Sequence, residues 1–374
     1  MVFPERLREG DTVGLVSPAF PVKEEERDGC VKLLEGMGYR VKLGTCLENM
    51  YNFHNYLAGD AGARGEDINR MFADPQVKAV FCVRGGYGSS QIMKYLDFDL
   101  VKQNPKIFVG YSDITNLHSA FQMFGNLVTF HGPMVCSNML KDFDAYTRSG
   151  LFAALNMEEE LEFRNPPGEE GFKTIRGGEA EGILAGGNIS VLARACGTFY
   201  QLDTRDKILF LEDVEEGIAS LDMYITQMEY AGMFEHAAGI LLGDFTDCTN
   251  DRYDGTYQIE EFLHDRFGTF DLPVMYHIRS GHDKPMGTLP FGTMCRMDGD
   301  NKTAPVLPAA AVDSTEDSTV HSTADSAADD GFVTALAQPF SGSGIRNLEK
   351  AAKKCKKDKN LKKCLQSPET YDKL

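Results

Sequence analysis

The 374-residue sequence predicts an α/β fold: an N-terminal half built on a mostly parallel sheet, then a smaller C-terminal α/β half. Three observations carry that expectation. Short apolar runs alternate with amphipathic segments at the spacing of strand–helix–strand units. Tight or glycine-rich turns follow several of the apolar runs directly. The alternation weakens between about 141 and 180 and then resumes in a different style.

Each element follows from its residues. TVGLV (12–16) reads as a buried strand stopped by Ser17 and Pro18, and 24–36 as a helix ended at Gly36 and Gly38. YRVKL (39–43) is a second strand and 62–73 an amphipathic helix. KAVFCV (78–83) runs into the turn RGGYG and a helix reaching about Tyr95. KIFVG (106–110) runs into a turn at Tyr111 and Ser112, a helix over 113–124, and then the strand LVTF (127–130). NPPGEEGF (165–172) has linker composition. The chain therefore divides into 1–150, a connection over 151–180, a second domain over 181–305 and a tail over 306–374. In the second domain GGNISVLARACG (186–197) is a glycine turn entering a short helix, and KILFLED (207–213) is a strand. Ile218, Leu221, Ile225 and Met228 share one face of the next helix. AAGILLGDF (237–245) and PVMYHI (273–278) are strands on either side of a helix over 258–267, and SGHDKP and TLPFGTMCRMD complete the domain. Residues 307–330, rich in Ala, Ser, Thr and Asp, cannot bury enough apolar surface to order themselves. The lysine-rich stretch 346–363 reads as a solvated helix or as disorder, with a basic helix that touches anionic surfaces as the alternative.

Charge and cysteine usage exclude several functions. The net charge is −18, and residues 307–374 carry 10 acidic and 10 basic side chains, so the acidic excess lies in 1–306. Such a body repels phosphate backbones, which argues against nucleic acid as a partner. Nine cysteines without a CxxC pair suit a reducing compartment rather than a disulfide framework or structural zinc. No apolar run approaches 18 residues, and MVFPERLREGDTVG lacks the apolar core of a signal peptide, so a cytoplasmic location without membrane partners is expected.

The chemistry-bearing residues lie in the turns. VGYSDIT (109–115) places Ser112 between a strand and a helix, the setting of a nucleophile elbow, although Ile114 stands where G-x-S-x-G has its last glycine. The helix start supplies free amides for an oxyanion; the plainer reading makes Ser112 or Asp113 a helix cap. RGGYGSS (84–90) leaves the dinucleotide fingerprint incomplete, but its glycines let a backbone N–H approach a substrate. An activated serine needs a base and an orienting carboxylate. His118 lies six residues past Ser112 and is expected to point away, and His131 suits a structural role. His282 sits in a glycine- and proline-punctuated loop, where catalytic side chains are often held. Glu212, Asp213, Glu215 and Glu216 all end the strand LFLEDVEE, and the residues alone do not choose among them, though Glu212 should emerge first at the strand edge. No metal signature, P-loop or cofactor motif competes.

RGGYGSSQIMKYLDFDLVKQNPKIFVGYSDITNLHSAF (84–121) closely resembles the LD-carboxypeptidase family of serine peptidases, which includes the microcin-immunity peptidases. The resemblance continues through FHGPM (130–134), GGNISVL (186–192), ILFLEDVEE (208–216), AGILLGD (238–244) and SGHDKPMGTLPFG (280–292), and spans roughly 5–304. It implies two domains that share a Ser–Glu–His triad, here Ser112, Glu212 and His282. The oxyanion donors it implies are the amides of Asp113 and Gly86. It further implies cleavage between an L-centre and a terminal D-alanine in murein tetrapeptides, without a cofactor, and pairing as homodimers. Arg84 is the candidate cation for the substrate's terminal carboxylate. A microcin-immunity relative cuts an acyl–nucleotide conjugate instead. The chain lacks Trp and shows no evident aromatic pair for stacking a nucleobase, which favours the muropeptide. A non-catalytic binding protein with the same cleft, or an esterase of the α/β-hydrolase type, are the competing classes.

Overall fold

In the computed structural model residues 1–250 and 255–307 are described. The remaining tail, including the low-complexity and lysine-rich stretches, lies outside them. Five apolar strands in the first half, β1 (Thr12–Val16), β2 (Arg40–Leu43), β3 (Val77–Cys82), β4 (Ile107–Gly110) and β5 (Thr129–His131), pair in parallel in the order β5-β4-β3-β1-β2. Alternate residues serve opposite faces. Val80, Cys82 and Phe108 pack with Ile68, Met71 and Phe72 of the helix Ala61–Ala73. Ala79, Phe81, Val83, Ile107 and Val109 pack on the other face with Cys30 and Leu34 of the helix Glu24–Gly36. Covered on both sides, β1, β3 and β4 are buried almost throughout, as inner strands of a parallel sheet are, whereas the edge strand β2, RVKL, stays partly exposed.

The second half contributes β6 (Lys173–Arg176), β7 (Glu179–Asn188), β8 (Lys207–Val214), β9 (Gly239–Thr246), β10 (Val274–Tyr276), β11 (Leu289–Phe291), β12 (Met294–Asp298) and β13 (Val306–Leu307). Seven of them form a second sheet in the order β13-β12-β7-β8-β9-β10-β6, parallel from β7 to β10 and antiparallel towards both edges. Ile218, Leu221, Ile225 and Met228, spaced for one helical face, are buried against Leu209, Leu211, Ile240 and Leu242.

The exception is β11. It leaves its own half and pairs antiparallel with β5, Leu289 opposite His131 and Phe291 opposite Thr129, so it becomes an edge strand of the first sheet. Leu289 and Phe291 share a core with Phe210 and Leu241 of the second sheet, which locks the two sheets into one body. The 151–180 connection is also more ordered than its composition suggests. The helix Ala145–Leu155 ends in it, β6 lies within it, and β7 starts in it.

Candidate active site

The elements that matter emerge at the carboxyl ends of the parallel strands. After β4 the chain turns at Ser112, which adopts φ +65°, a left-handed conformation costly for a residue with a side chain. A 3-10 turn, Ser112–Ile114, and the helix Thr115–Met123 follow, where one helix over 113–124 was expected. The strain aims the half-buried Ser112 side chain off the sheet edge, as an elbow requires. After β3, the turn 84–88 packs against it: a Cβ on Gly85 would sit 3.2 Å from Ser112 Oγ and 3.5 Å from the Asp113 nitrogen. Gly86 is exposed with φ +117°, and a Cβ there would meet the Phe20 ring at 2.4 Å, so only glycine fits.

The two turns are tied together. The Ser89 N–H donates to Asp113 Oδ2 at 2.8 Å, and Ser89 Oγ donates to the Asp113 carbonyl at 2.6 Å. Burial raises the Asp113 carboxyl to about 6, against the opposing pull of these Ser89 bonds and of Arg64. Among the described residues neither the Gly86 nor the Asp113 amide N–H donates to a backbone or side-chain acceptor.

From the second sheet, Glu212 lies inside β8 rather than emerging at its edge. It is fully buried and pairs in register with Asn188. The β8–β9 register slips between Leu211 and Asp213, a bulge of the kind that re-aims a side chain. Glu212 Oε2 accepts from His282 Nδ1 at 2.6 Å. Gly281 makes this approach possible, since a Cβ there would stand 3.1 Å from Glu212 Oε2. Burial alone would lower the His282 pKa, but the Glu212 charge and hydrogen bond, aided by Asp213 and Asp244, leave it above the ordinary 6.5. The His282 ring lies 4.7 Å, centroid to centroid, from that of Tyr111, the residue before Ser112. Glu212 and His282 are therefore joined, and His282 is brought beside the elbow. No hydrogen bond links Ser112 to His282 among the described residues.

The other candidates part company with this group. His118 Nδ1 meets Thr129 Oγ1 at 2.9 Å and Nε2 meets the Gly110 carbonyl at 2.8 Å, so it braces β4 against β5, and burial lowers its pKa to about 4. His131 is fully buried among Tyr111, Phe210 and Phe291, and burial drives its pKa well below the ordinary value. Arg84 is half-buried with its guanidinium 5.7 Å from the Phe20 ring centroid. Asp213, on the opposite side of β8 from Glu212, accepts from Asn188 Nδ2, Ser190 N and Val214 N at 2.8–2.9 Å. Burial, then the neighbouring Glu212 charge, raise its pKa to about 7. The Asn188 N–H donates to Thr115 Oγ1 at 3.0 Å, so this network links the helix that follows Ser112 to the strand that carries Glu212 and Asp213. Sequence reasoning did not single out that link. The strand-to-helix signal in GGNIS locates Asn188, but its partners are 25 and 73 residues away. Among the described residues no cluster of His, Cys, Asp and Glu has metal-holding geometry, and no helix is long and apolar enough to cross a membrane.

Residues 13–132 match the LD-carboxypeptidase N-terminal domain and 181–297 its C-terminal domain. The chain belongs to the LD-carboxypeptidase family. It is accordingly a serine-type carboxypeptidase, a hydrolase. A probable murein peptide carboxypeptidase of Bacillus subtilis is 38% identical over 302 residues, 80% of this chain and 93% of that protein. A murein tetrapeptide carboxypeptidase of Pseudomonas aeruginosa is 30% identical, over 77% of this chain and 93% of that protein. Among solved structures, an MccF-like protein from Bacillus anthracis superposes with a TM-score of 0.72 at 29% identity, covering 82% of this chain and 99% of that one.

One expectation needs correcting. An aromatic pair does exist: Tyr56 and Tyr87 stack with centroids 6.4 Å apart and planes at 28°, both more than 40% exposed, near the glycine turn. Thirty-one residues separate them, so no local pattern could reveal the pair.

Proposed function

We propose that the protein hydrolyses the bond between an L-centre and the terminal D-alanine of a murein tetrapeptide, with Ser112 as nucleophile. The observation that carries this reading is the buried Glu212 carboxylate on His282 Nδ1, beside a serine in a strained strand-to-helix turn. Glu212 fixes the tautomer in which Nδ1 carries the proton and Nε2 is free to accept one. His282 Nε2 takes the Ser112 hydroxyl proton as Oγ bonds to the carbonyl carbon. The amides of Gly86 and Asp113 receive the oxyanion. The C–N bond breaks as His282 returns the proton to the departing D-alanine amine. Water, deprotonated by the same imidazole, then releases the acyl group and restores Ser112. Arg84 receives the terminal carboxylate, and the reaction serves cell-wall recycling by a cytoplasmic homodimer.

Mass spectrometry of murein tetrapeptide incubated with the protein tests this directly. Conversion to tripeptide and D-alanine is expected with the native protein and none with Ser112→Ala; an unaltered tetrapeptide would reject the substrate. The fold shared with an MccF-like protein keeps a second reading in view, an acyl–nucleotide conjugate as substrate. Turnover of such a conjugate in the same assay, without turnover of tetrapeptide, would favour it.

A further inference from the structure

The active-site groups leave one surface unused. Three loops leave the carboxyl ends of β1, β2 and β3 and meet beside Gly86, where the strand order reverses between β1 and β3. Ligands of open α/β sheets bind at such a reversal. The β1 loop carries Phe20, the chain after β2 carries Phe53, His54 and Tyr56, and the β3 loop carries Tyr87. Phe20 meets Tyr56 edge-on at 6.4 Å, and Tyr56 stacks on Tyr87.

This surface is built rather than incidental. Arg64, 1% exposed, donates from Nε to the Gly59 carbonyl at 3.0 Å and from Nη1 to Gly88 at 2.8 Å and to Pro18, so one guanidinium pins all three loops. The Ala58 N–H adds a bond to the Ala19 carbonyl at 3.0 Å. His54 and Asn55 are consecutive left-handed residues, φ +54° and +64°, held by the Phe53–Leu57 bridge. Such strain persists where surroundings enforce it, and it clusters at binding sites. Phe53, Tyr56 and Tyr87 are each 42–44% exposed.

Its chemistry is selective. In a chain of net charge −18, the stretch NMYNFHNYLAG (49–59) contains no Asp, Glu, Lys or Arg. Asn52 and Asn55 are exposed and make no hydrogen bond among the described residues. Aromatic faces interleaved with free amides suit a neutral ligand with apolar faces and hydroxyl or amide edges. A phosphate-bearing nucleotide would find no cation in that stretch; the neighbouring cation, Arg84 beside Phe20, is the one assigned above to the terminal carboxylate. A carboxypeptidase has a single residue on the leaving side of the cut bond, so a surface this wide serves the acyl side.

We propose that Tyr56 and Tyr87, with the amides of Asn52 and Asn55, form a subsite for the saccharide that precedes the peptide in a glycosylated murein peptide, while Phe20, under Arg84 and against Gly86, lies at the cut-bond end. The inference rests on the murein reading above. The test compares kcat/KM for a disaccharide-linked tetrapeptide with that for the free tetrapeptide. The native protein should favour the glycosylated substrate by on the order of tenfold, the effect of two stacked rings. Tyr56→Ala with Tyr87→Ala should bring the ratio close to one, while Tyr56→Phe with Tyr87→Phe retains most of it. A native ratio near one, or a ratio unchanged in the alanine pair, overturns the subsite and leaves the peptidase reading standing. The same is true if the alanine pair weakens only inhibition by adenosine monophosphate. Failure to cut either substrate overturns the peptidase reading and the subsite with it.

Discussion

The two sheets supply the candidate site by different means. The first contributes backbone: a strained Ser112, a glycine turn against the Phe20 ring, and free amides set by the turns at the ends of β3 and β4. The second contributes side chains: the buried Glu212 bonded to His282, and Asp213, Asp244 and the imidazole of His282, whose pKa values are shifted by burial and by neighbouring charges. Geometry on one side and protonation on the other should therefore respond to different perturbations: glycine substitution in the 84–88 turn should leave pH behaviour alone, and substitution at the second sheet should move it; Asp113, raised by burial to about 6, is the first sheet's own titrating group.

Four changes test that division. The largest effect belongs to Ser112→Ala, which should cut kcat by about 10⁴-fold or more, with the circular dichroism spectrum intact. Glu212→Gln should lower kcat by about 10³ to 10⁴-fold. It should also move the pH profile. The free base is needed, so kcat/KM falls as pH drops through the raised pKa of His282; without the carboxylate charge that limb should shift to lower pH. An unshifted limb would mean that another group controls it. Gly86→Ala places a methyl group 2.4 Å from the Phe20 ring at φ +117°, and should cost about 2 kcal/mol of stability and about 100-fold in kcat. Its acid limb should stay where the native one is.

The smallest effect is on stability. Asp213 has a folded pKa of about 7 against an ordinary 3.8, so the folded state resists its ionisation. Its contribution is fully present below about pH 4 and is lost as pH rises through 7. Tm of Asp213→Asn should therefore fall less than that of the native protein between pH 4 and 7. Parallel Tm curves would contradict the assigned cause.

The same division explains what the sequence revealed. Local signals located the first sheet well: TVGLV is β1 residue for residue, and KIFVG contains all of β4. The stripe Ile218–Leu221–Ile225–Met228 faces the core as its spacing requires. Ser112 stood out because an elbow is a local feature. The choice of Glu212 over Asp213 rested on family resemblance. The physical difference between them, one bonded to His282 and the other to Asn188 and Ser190, arises from pairings across tens of residues. Two further features were hidden for the same reason. β11 joins β5 across 158 positions, from His131 to Leu289, and Arg64 fixes three loops from the first turn of an ordinary amphipathic helix.

The central claim is that Ser112 alone becomes the acylated residue. A serine-reactive fluorophosphonate followed by peptide mapping reads this out. The adduct is predicted on the peptide that contains Ser112, suppressed by excess murein tetrapeptide and lost in Ser112→Ala. An adduct on another serine, or labelling of Ser112→Ala at the native rate, would contradict the account.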